Sequence, residues 1–189
     1  MHEPRLKFGL GVGYAVAPVG ADHMMNIHDT SYTSPGGSLE RVAAVYLVGP
    51  LPATDLGRAK MELFYHEVNW QHFQDCAVAC MFYPYDYTHL AEALSGATGH
   101  DYSPADILTV GARAQNLARL FNLREGLTAA DDRLPKRVMQ AFTEGPLAGQ
   151  EITEEALYAA RQTWYELMGW TPEGVPTEER LAALGLRDL

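Results

Sequence analysis

One segment of the sequence carries every signal that begins, shapes and ends an amphipathic helix. Ser103 is a residue type that caps helix N-termini, and Pro104 follows at the first helical position, where an N–H group is not needed. Gly126 is typical of the residue just beyond a helix C-terminus. Between them lies an apolar stripe at helical spacing, made of Ile107, Val110, Ala114, Leu117, Ala118 and Phe121. The segment therefore predicts a helix of about six turns.

Other segments have the same character. A segment that begins near residue 56 keeps helical spacing as far as Tyr83 and Pro84, and shorter helices are predicted at residues 87–99, 134–143, 153–168 and 177–185. The first 55 residues are rich in glycine and proline and predict an irregular loop layer with one short helix near residues 38–45. No segment alternates convincingly like a strand. The sequence predicts an all-α domain of about six helices.

The length and charge of the chain limit the classes of function that it can have. A chain of 189 residues is long enough for one domain with its own core. Its 14 basic and 24 acidic residues give a formal charge of −10, which argues against binding to nucleic acid or to an anionic membrane surface. No apolar run approaches the roughly 20 residues that span a bilayer. The two cysteines do not form a secreted disulfide pattern, so a reducing, cytoplasmic setting is expected.

The first candidate for chemistry is the segment APVGADHMMN at residues 17–26. His23 could serve as a general acid or base, because histidine titrates near neutrality. With His28 and Asp29 it could instead ligate a metal, a further ligand coming from another histidine of the chain. A hydrogen-bonded, partly buried structural histidine is the plainer alternative. The sequence leaves these alternatives open.

The second candidate is the pair Cys76 and Cys80, close to Asp75. Two thiols are too few for a structural zinc site. Each cysteine is either a small buried hydrophobic residue or the last ligand of a cluster whose other ligands lie elsewhere. Two further interpretations concern charged residues. Arg119 and Arg124 are expected to pair with acids such as Glu125 on the surface, and residues 131–137 to form a charged turn.

Three long motifs resemble the tungsten-dependent aldehyde ferredoxin oxidoreductase family. Residues 113–137, RAQNLARLFNLREGLTAADDRLPKR, are similar to a family stretch of the type N-L-x-R-L-F-N-x-R-E-G followed by D-D-x-L-P-x-R. Residues 164–186, WYELMGWTPEGVPTEERLAALGL, resemble the family's ending, and residues 4–25 resemble the opening of its last domain. The motifs are long, occur in order and together cover nearly the whole chain.

This resemblance implies a domain organisation. Family members carry a tungsten, sometimes molybdenum, bis-pterin in an N-terminal β domain, and two helical domains follow. A four-iron four-sulfur cluster takes three cysteines from the middle domain and one from the last. Residues 1–189 would be a single domain, the last of the three, with the N-terminal β domain and the middle helical domain outside this chain.

The resemblance also implies roles for individual residues. The family element D-x-x-G-L-C matches DCAVAC, which makes Cys80 the fourth cluster ligand and Asp75 a hydrogen-bond acceptor for the pterin. Val78 and Ala79 stand where the family often has glycine and leucine. The remaining cofactor contacts would be Ala79, Met81, Gly20 and Ala21, with His23 as the proton-transfer residue and His28 as the alternative to it.

The expected function follows from this resemblance. The complete protein would oxidise a small aldehyde to a carboxylic acid and pass the electrons to ferredoxin. This chain alone is expected to bind neither tungsten nor a cluster and to be inactive. Two other functions stay open: a stand-alone metal-dependent hydrolase that uses His23, His28 and Asp29, and a non-catalytic helical interaction module. An exposed apolar surface around residues 9–19 and 82–87 is expected under the first and the last of these.

Overall fold

The computed structural model of the chain describes residues 2–187, and these residues form an all-α fold. No β-strand occurs among them, and the only extended pairings are isolated bridges between Phe142 and Ala148 and between Trp170 and Pro176. The α-helices are α1 (Phe8–Val16), α2 (Gly37–Val42), α3 (Arg58–Cys76), α4 (Tyr87–Thr98), α5 (Pro104–Arg124), α6 (Glu154–Met168) and α7 (Glu178–Ala183), with a 3₁₀ helix at Asp29–Tyr32. The predicted fold class is confirmed.

The capping signals read from the sequence form as expected. Ser103 accepts a hydrogen bond from the Asp106 backbone N–H while the Asp106 side chain accepts one from the Ser103 backbone, which completes a capping box at the start of α5. The Thr153 and Thr177 side chains accept hydrogen bonds from the Ala156 and Arg180 backbone N–H groups and so cap α6 and α7. Helices α5, α6 and α7 therefore each begin where a side-chain oxygen satisfies a free N–H group.

Helix α3 lies at the centre of the domain and packs against α5 and α6. Its Met61, Leu63 and Phe64 are fully buried, and the Phe64 ring meets the Trp164 ring of α6 edge to face at 4.8 Å between centroids. The helix ends at Cys76, earlier than the Tyr83-Pro84 break that the sequence predicts. Because α3 ends there, residues 77–84 are free to form the loop that carries Cys80.

The glycine-rich start of the chain is a correction to the predicted loop layer. Residues 8–16 form α1, which is buried almost all round, so the apolar surface expected around residues 9–19 is buried as far as Val16. Its glycines allow close packing. A Cβ atom on Gly9 would lie 2.6 Å from Asp29 Oδ1, one on Gly13 would lie 2.0 Å from Asn26 Oδ1, and one on Gly11 would lie 2.5 Å from Ile152 Cδ1. These glycines make room for neighbours on two faces of a helix.

Residues 134–143 are a second correction, because they form successive turns and no helix. Leu134 is buried in the main core, and Asp132 just before it is tied to α5, so the chain is held at that point by tertiary contacts. The weak local helical pattern after Pro135 is overridden by these contacts. No helix among residues 2–187 is both long enough and apolar enough to cross a membrane.

Candidate functional site

The C-terminus of α3 ends in a hydrogen-bonded motif that turns the chain sharply before Cys80. The Ala79 N–H donates to the Gln74 carbonyl at 2.8 Å, and the Val78 N–H donates to the Asp75 carbonyl at 3.1 Å. This pair of bonds is the Schellman motif, in which the residue after the cap adopts a left-handed conformation. The turn releases residues 79–83 from the helix and directs them away from its axis.

Val78 occupies the left-handed position of this motif, with φ of 54°. Among the non-glycine residues that the structure describes, it is the one with a positive φ. Glycine is the usual residue there because it has no Cβ atom to clash with the following carbonyl. The family element that the sequence resembles has glycine at this position, so this chain keeps the backbone turn with a residue that strains it.

Asp75 and Cys80 flank this turn with their side chains exposed. The Asp75 carboxylate accepts no hydrogen bond within residues 2–187, although it lies in the last turn of α3, where the helix dipole disfavours an anion. Cys80 is a free thiol. Neither residue therefore has a structural role inside the described domain. Ala79 and Met81 are half-buried beside them.

A second exposed thiol, Cys76, lies at the end of α3. Loss of hydration and the charge of neighbouring Asp75 together raise the pKa of the Cys76 thiol. A thiol with a raised pKa is a poorer metal ligand and nucleophile, because the thiolate is the reactive form. Cys76 is thus a natural control for any role assigned to Cys80.

The loop that carries His23 is held to the domain by side chains. Asn122 of α5 donates to the Pro18 carbonyl at 2.8 Å, Asn26 donates to the Asp22 carbonyl at 3.2 Å, and His28 Nε2 lies 3.0 Å from the His23 carbonyl. Carbonyl groups at both ends of the loop are therefore occupied. The loop has a defined backbone, and we call residues 17–23 the histidine loop.

The histidine loop leaves several backbone donors free. Gly20 has φ of 86° and is exposed, with no atom within 4 Å of the place where a Cβ would be. Within residues 2–187 the N–H groups of Val19, Ala21 and His23 have no hydrogen-bond partner. Exposed, fixed N–H groups beside a glycine suit an acceptor-rich ligand that approaches the backbone closely.

His72 lies between the histidine loop and the α3 end. Its Nδ1 lies 2.9 Å from the Val68 carbonyl. Burial lowers the pKa of His72, and the carbonyl contact followed by the charges of Asp75 and Asp22 oppose that shift. Asp22 of the histidine loop and Asp75 of α3 are thus both within electrostatic reach of one imidazole. No hydrogen bond joins the two candidate segments within residues 2–187.

The metal-hydrolase alternative requires Asp29 and His28 as ligands, and the structure gives both residues other roles. The Asp29 carboxylate is fully buried and accepts hydrogen bonds from the Gly9 N–H at 3.1 Å and the Leu10 N–H at 2.9 Å and from Lys60 Nζ at 2.9 Å. Both ring nitrogens of His28 are engaged as well. Within residues 2–187 no three His, Cys, Asp or Glu side chains are arranged to hold a metal ion. Asp29 is a structural anchor for α1, so that interpretation is wrong for this residue.

Arg119 and Asp132 correct another prediction, since neither is on the surface. Arg119 Nη1 donates to Asp132 Oδ1 at 3.0 Å, and Arg119 Nε donates to the Gly174 carbonyl at 2.7 Å. The Tyr165 hydroxyl donates to the same Asp132 carboxylate. Burial, followed by this hydrogen bond, raises the pKa of Tyr165. A buried ion pair with these extra hydrogen bonds is costly to break on one side.

Side chains of the long motifs form hydrogen bonds to one another and to the histidine loop. Trp170 Nε1 donates to Asn116 Oδ1 at 2.8 Å, which joins the ending motif to α5. Asn122 reaches the histidine loop, and Asp131 accepts from the Thr128 N–H at 2.8 Å. The motifs thus support the fold around the histidine loop. The sequence named these residues through its family pattern but gave no signal of these contacts.

A cavity of about 490 Å³ lies beside the histidine loop. Residues 17–21 form one wall, and Gln115, Arg119, Asn122 and Trp170 contribute to the others. Gln115 donates to Asn69 Oδ1 at 2.9 Å, and Arg119 is paired with Asp132, so these two side chains of the wall already have partners within the protein. Asp75 and Cys80 do not line this cavity.

Several known proteins are similar to this chain in sequence. The tungsten-containing aldehyde ferredoxin oxidoreductase of Pyrococcus furiosus is 32% identical over 194 aligned positions, which cover 99% of this chain and 29% of that protein. The enzyme of the same name from Pyrococcus horikoshii is also 32% identical, and the alignment again covers 99% of this chain and 29% of that protein. The WOR-like subunit of an aliphatic sulfonate oxidoreductase from P. furiosus is 29% identical over 60% of this chain and 19% of that one.

A solved structure has a similar fold. The active-site complex BamBC of benzoyl coenzyme A reductase, in complex with 1,5-dienoyl-CoA, superposes with a TM-score of 0.55 and 21% identity, over 68% of this chain and 20% of that one. The chain spans 29% of the length of the tungsten enzymes that it matches. Residues 1–186 match the family described as aldehyde ferredoxin oxidoreductase, domains 2 and 3. The chain belongs to the aldehyde ferredoxin oxidoreductase family.

Proposed function

We propose that this chain is the C-terminal part of a tungsten or molybdenum bis-pterin oxidoreductase that oxidises aldehydes to carboxylic acids. In the complete reaction an aldehyde and a water molecule give a carboxylic acid, two protons and two electrons, and ferredoxin accepts the electrons. The observation that carries the proposal is the exposed turn at the end of α3, which presents a free Asp75 and a free Cys80 in the family's order.

The cluster ligand of this chain would be Cys80. A thiolate that ligates iron must be reachable from outside the domain when the other three ligands come from elsewhere. Cys80 satisfies this because it is exposed and free at the end of a sharp turn. The turn fixes the backbone before the thiol, so the ligand would be positioned before the cluster binds.

The pterin contacts would come from both segments. Asp75 offers a carboxylate that accepts from ring N–H groups, and Ala79 and Met81 lie against the same loop. Gly20 and Ala21 offer close backbone approach, with the free N–H groups of the histidine loop as donors. The bound cofactor supplies the redox chemistry, while the protein binds and orients it.

His23 would move the proton of the reaction. Its side chain is half-buried and makes no hydrogen bond within residues 2–187. An imidazole without a structural partner is free to accept a proton from the activated water and release it to solvent. His28 is less suited to this role because both of its nitrogens have partners.

Localisation and partners follow from the same proposal. Free thiols and a cluster ligand suit the reducing cytoplasm. The partners of this chain would be the other domains of the protein, together with ferredoxin and a small aldehyde. The formal charge of −10 does not favour a nucleic-acid partner. We expect this chain alone to lack tungsten and the cluster and to be inactive.

The decisive experiment compares two cysteines in the complete protein. Cys80→Ser is expected to remove most of the bound iron and the cluster's electron paramagnetic resonance signal. Cys76→Ser, four residues earlier in the sequence and also exposed, is the matched control and should keep both. Equal iron content in the two variants would contradict the assignment of Cys80.

The role of His23 is tested separately. His23→Phe should lower kcat for aldehyde oxidation by about 10²- to 10⁴-fold, the usual contribution of general acid–base catalysis, with the cluster signal unchanged. Parent-like kcat in this variant would contradict the proton-transfer role without affecting the cluster assignment.

A further inference from the structure

His28 is fixed in place by its neighbours in the chain. Asp29, the next residue, is fully buried and ties the start of α1 to Lys60 of α3 through three hydrogen bonds. His28 therefore projects from a rigid point of the backbone. Its ring is half-buried and packs edge to face against the His2 ring at 4.8 Å between centroids.

Two contacts determine which ring nitrogen of His28 carries the proton. Lys7 Nζ lies 3.3 Å from Nδ1, and an ammonium group can only donate, so Nδ1 must be the acceptor. The His23 carbonyl lies 3.0 Å from Nε2, and a carbonyl can only accept, so Nε2 must carry the hydrogen. Both partners require the same neutral tautomer. Burial, then the charge of Lys7, lowers the pKa of His28, in agreement with a neutral ring.

His23 depends on this contact for its position. Its side chain has no hydrogen bond within residues 2–187, so its imidazole is positioned by its own backbone and by the His2 ring at 5.2 Å. On the N-terminal side, the Asp22 carbonyl is held by Asn26. On the C-terminal side, the His23 carbonyl is held by His28.

From this geometry we propose that His28 is a positioning residue: oriented by Lys7, it holds the His23 carbonyl and so places the His23 imidazole. This inference rests on the proposed proton-transfer role of His23. It assigns to His28 neither metal ligation nor proton transfer. A displacement of about 1 Å at a catalytic group can lower a rate by about 100-fold.

The geometric part is tested without any activity. In the complete protein labelled with ¹⁵N in histidine rings, His28 is expected to show a protonated Nε2 and an unprotonated Nδ1. His28→Phe keeps a ring and removes both nitrogens, so the ¹³C resonance of the His23 carbonyl should shift. His28→Gln offers an acceptor to Lys7 and a donor to His23, and it should restore that resonance. A protonated Nδ1, or an unshifted carbonyl in His28→Phe, overturns the inference.

The functional part uses the same variants. With acetaldehyde or benzaldehyde, whichever the parent oxidises faster, His28→Phe should lower kcat by about 10- to 100-fold with little change in KM. His28→Gln should recover most of that loss. His100→Phe, at an exposed position after α4, is the matched control and should behave like the parent.

The outcomes separate this inference from the proposed function. If His23→Phe lowers kcat but His28→Phe does not, the positioning role is wrong and the role of His23 stands. If His28→Gln is as slow as His28→Phe although the carbonyl resonance recovers, His28 acts through something other than this contact and the inference is wrong. If His23→Phe is as active as the parent, the proton-transfer role fails, whereas the tautomer and the carbonyl shift still decide the contact itself.

Discussion

Val78 holds a left-handed backbone conformation that a β-branched residue disfavours by roughly 1–2 kcal/mol. Its side chain is 94% exposed, so replacing it with glycine removes almost no buried surface. Glycine also raises the entropy of the unfolded chain, which costs about 0.4–1 kcal/mol. The first effect is larger. We expect Val78→Gly to increase the free energy of unfolding by about 0.5–1 kcal/mol, measured by urea denaturation.

Val19 provides the matched control. It is another exposed valine in a loop, at 80% exposure, but its φ is not positive. Val19→Gly has no strain to relieve, so only the entropic effect remains and the variant should be slightly less stable than the parent. A gain of stability in Val19→Gly equal to that in Val78→Gly would show that strain is not the cause.

At the scale of single residues, the sequence indicates which residues are candidates for the site better than it indicates whether each is buried or exposed. The exposure of Asp75 and Cys80 follows from a helix end that the sequence placed too late, because no glycine marks the turn at Val78. The burial of Arg119 was missed because its partner Asp132 lies in a separate segment. Charge patterning detects partners within a helix, and a partner brought in by the tertiary fold leaves no local signal.

Among the elements, α3 and α5 pack closely at Gly111. A Cβ atom on Gly111 of α5 would lie 1.9 Å from the Asn69 carbonyl oxygen, a backbone atom inside α3 that cannot rotate away. Gly111→Ala must therefore push the two helices apart. Overpacking of this kind typically costs about 1–3 kcal/mol, and we expect at least about 2 kcal/mol here, measured by urea denaturation.

Gly96 in α4 offers the opposite case. No atom lies within 4 Å of its Cβ position, and it is also inside a helix. Gly96→Ala should stabilise the domain by about 0.5–1 kcal/mol, because alanine has the higher helix propensity. If both alanine variants increased the free energy of unfolding, helix propensity and not the contact between the helices would dominate at Gly111.

The elements that the sequence predicted well are those with signals in their own residues. Helices α5, α6 and α7 carry capping side chains, and each begins at the expected residue or one residue after it. The sequence does not predict α1 because glycine favours turns, whereas the glycines of α1 accommodate Asp29 and Asn26. The sequence does not distinguish a glycine that gives the backbone conformational freedom from a glycine that makes room for a neighbour. Only the packing partners distinguish them.

For the whole molecule, the exposed side chains around Cys80 form an apolar surface. Phe82 is 81% exposed and Tyr83 is 62% exposed, next to the exposed Val78. Contiguous apolar groups of this kind mark interaction surfaces. The chain spans 29% of the length of its tungsten-containing relatives, so the rest of such a protein could supply the cover.

Without that cover, we expect the 189-residue chain to self-associate through this face. The formal charge of −10 opposes association, but at 0.15 M salt, charges more than about 8 Å apart are largely screened. Burial of two aromatic side chains should outweigh the remaining repulsion, since each fully buried one contributes about 1.5–3 kcal/mol. Sedimentation velocity should therefore show a concentration-dependent mass for the parent chain.

The double variant Phe82→Ser with Tyr83→Ser should weaken this association by at least about tenfold, because tenfold corresponds to about 1.4 kcal/mol and two aromatic contacts are lost. Tyr158→Ser is the control, an aromatic residue of α6 that is 54% exposed and lies outside the face. Equal weakening by the control would mean that association is unspecific. A complete protein should show no such concentration dependence, since its own middle domain would occupy the face.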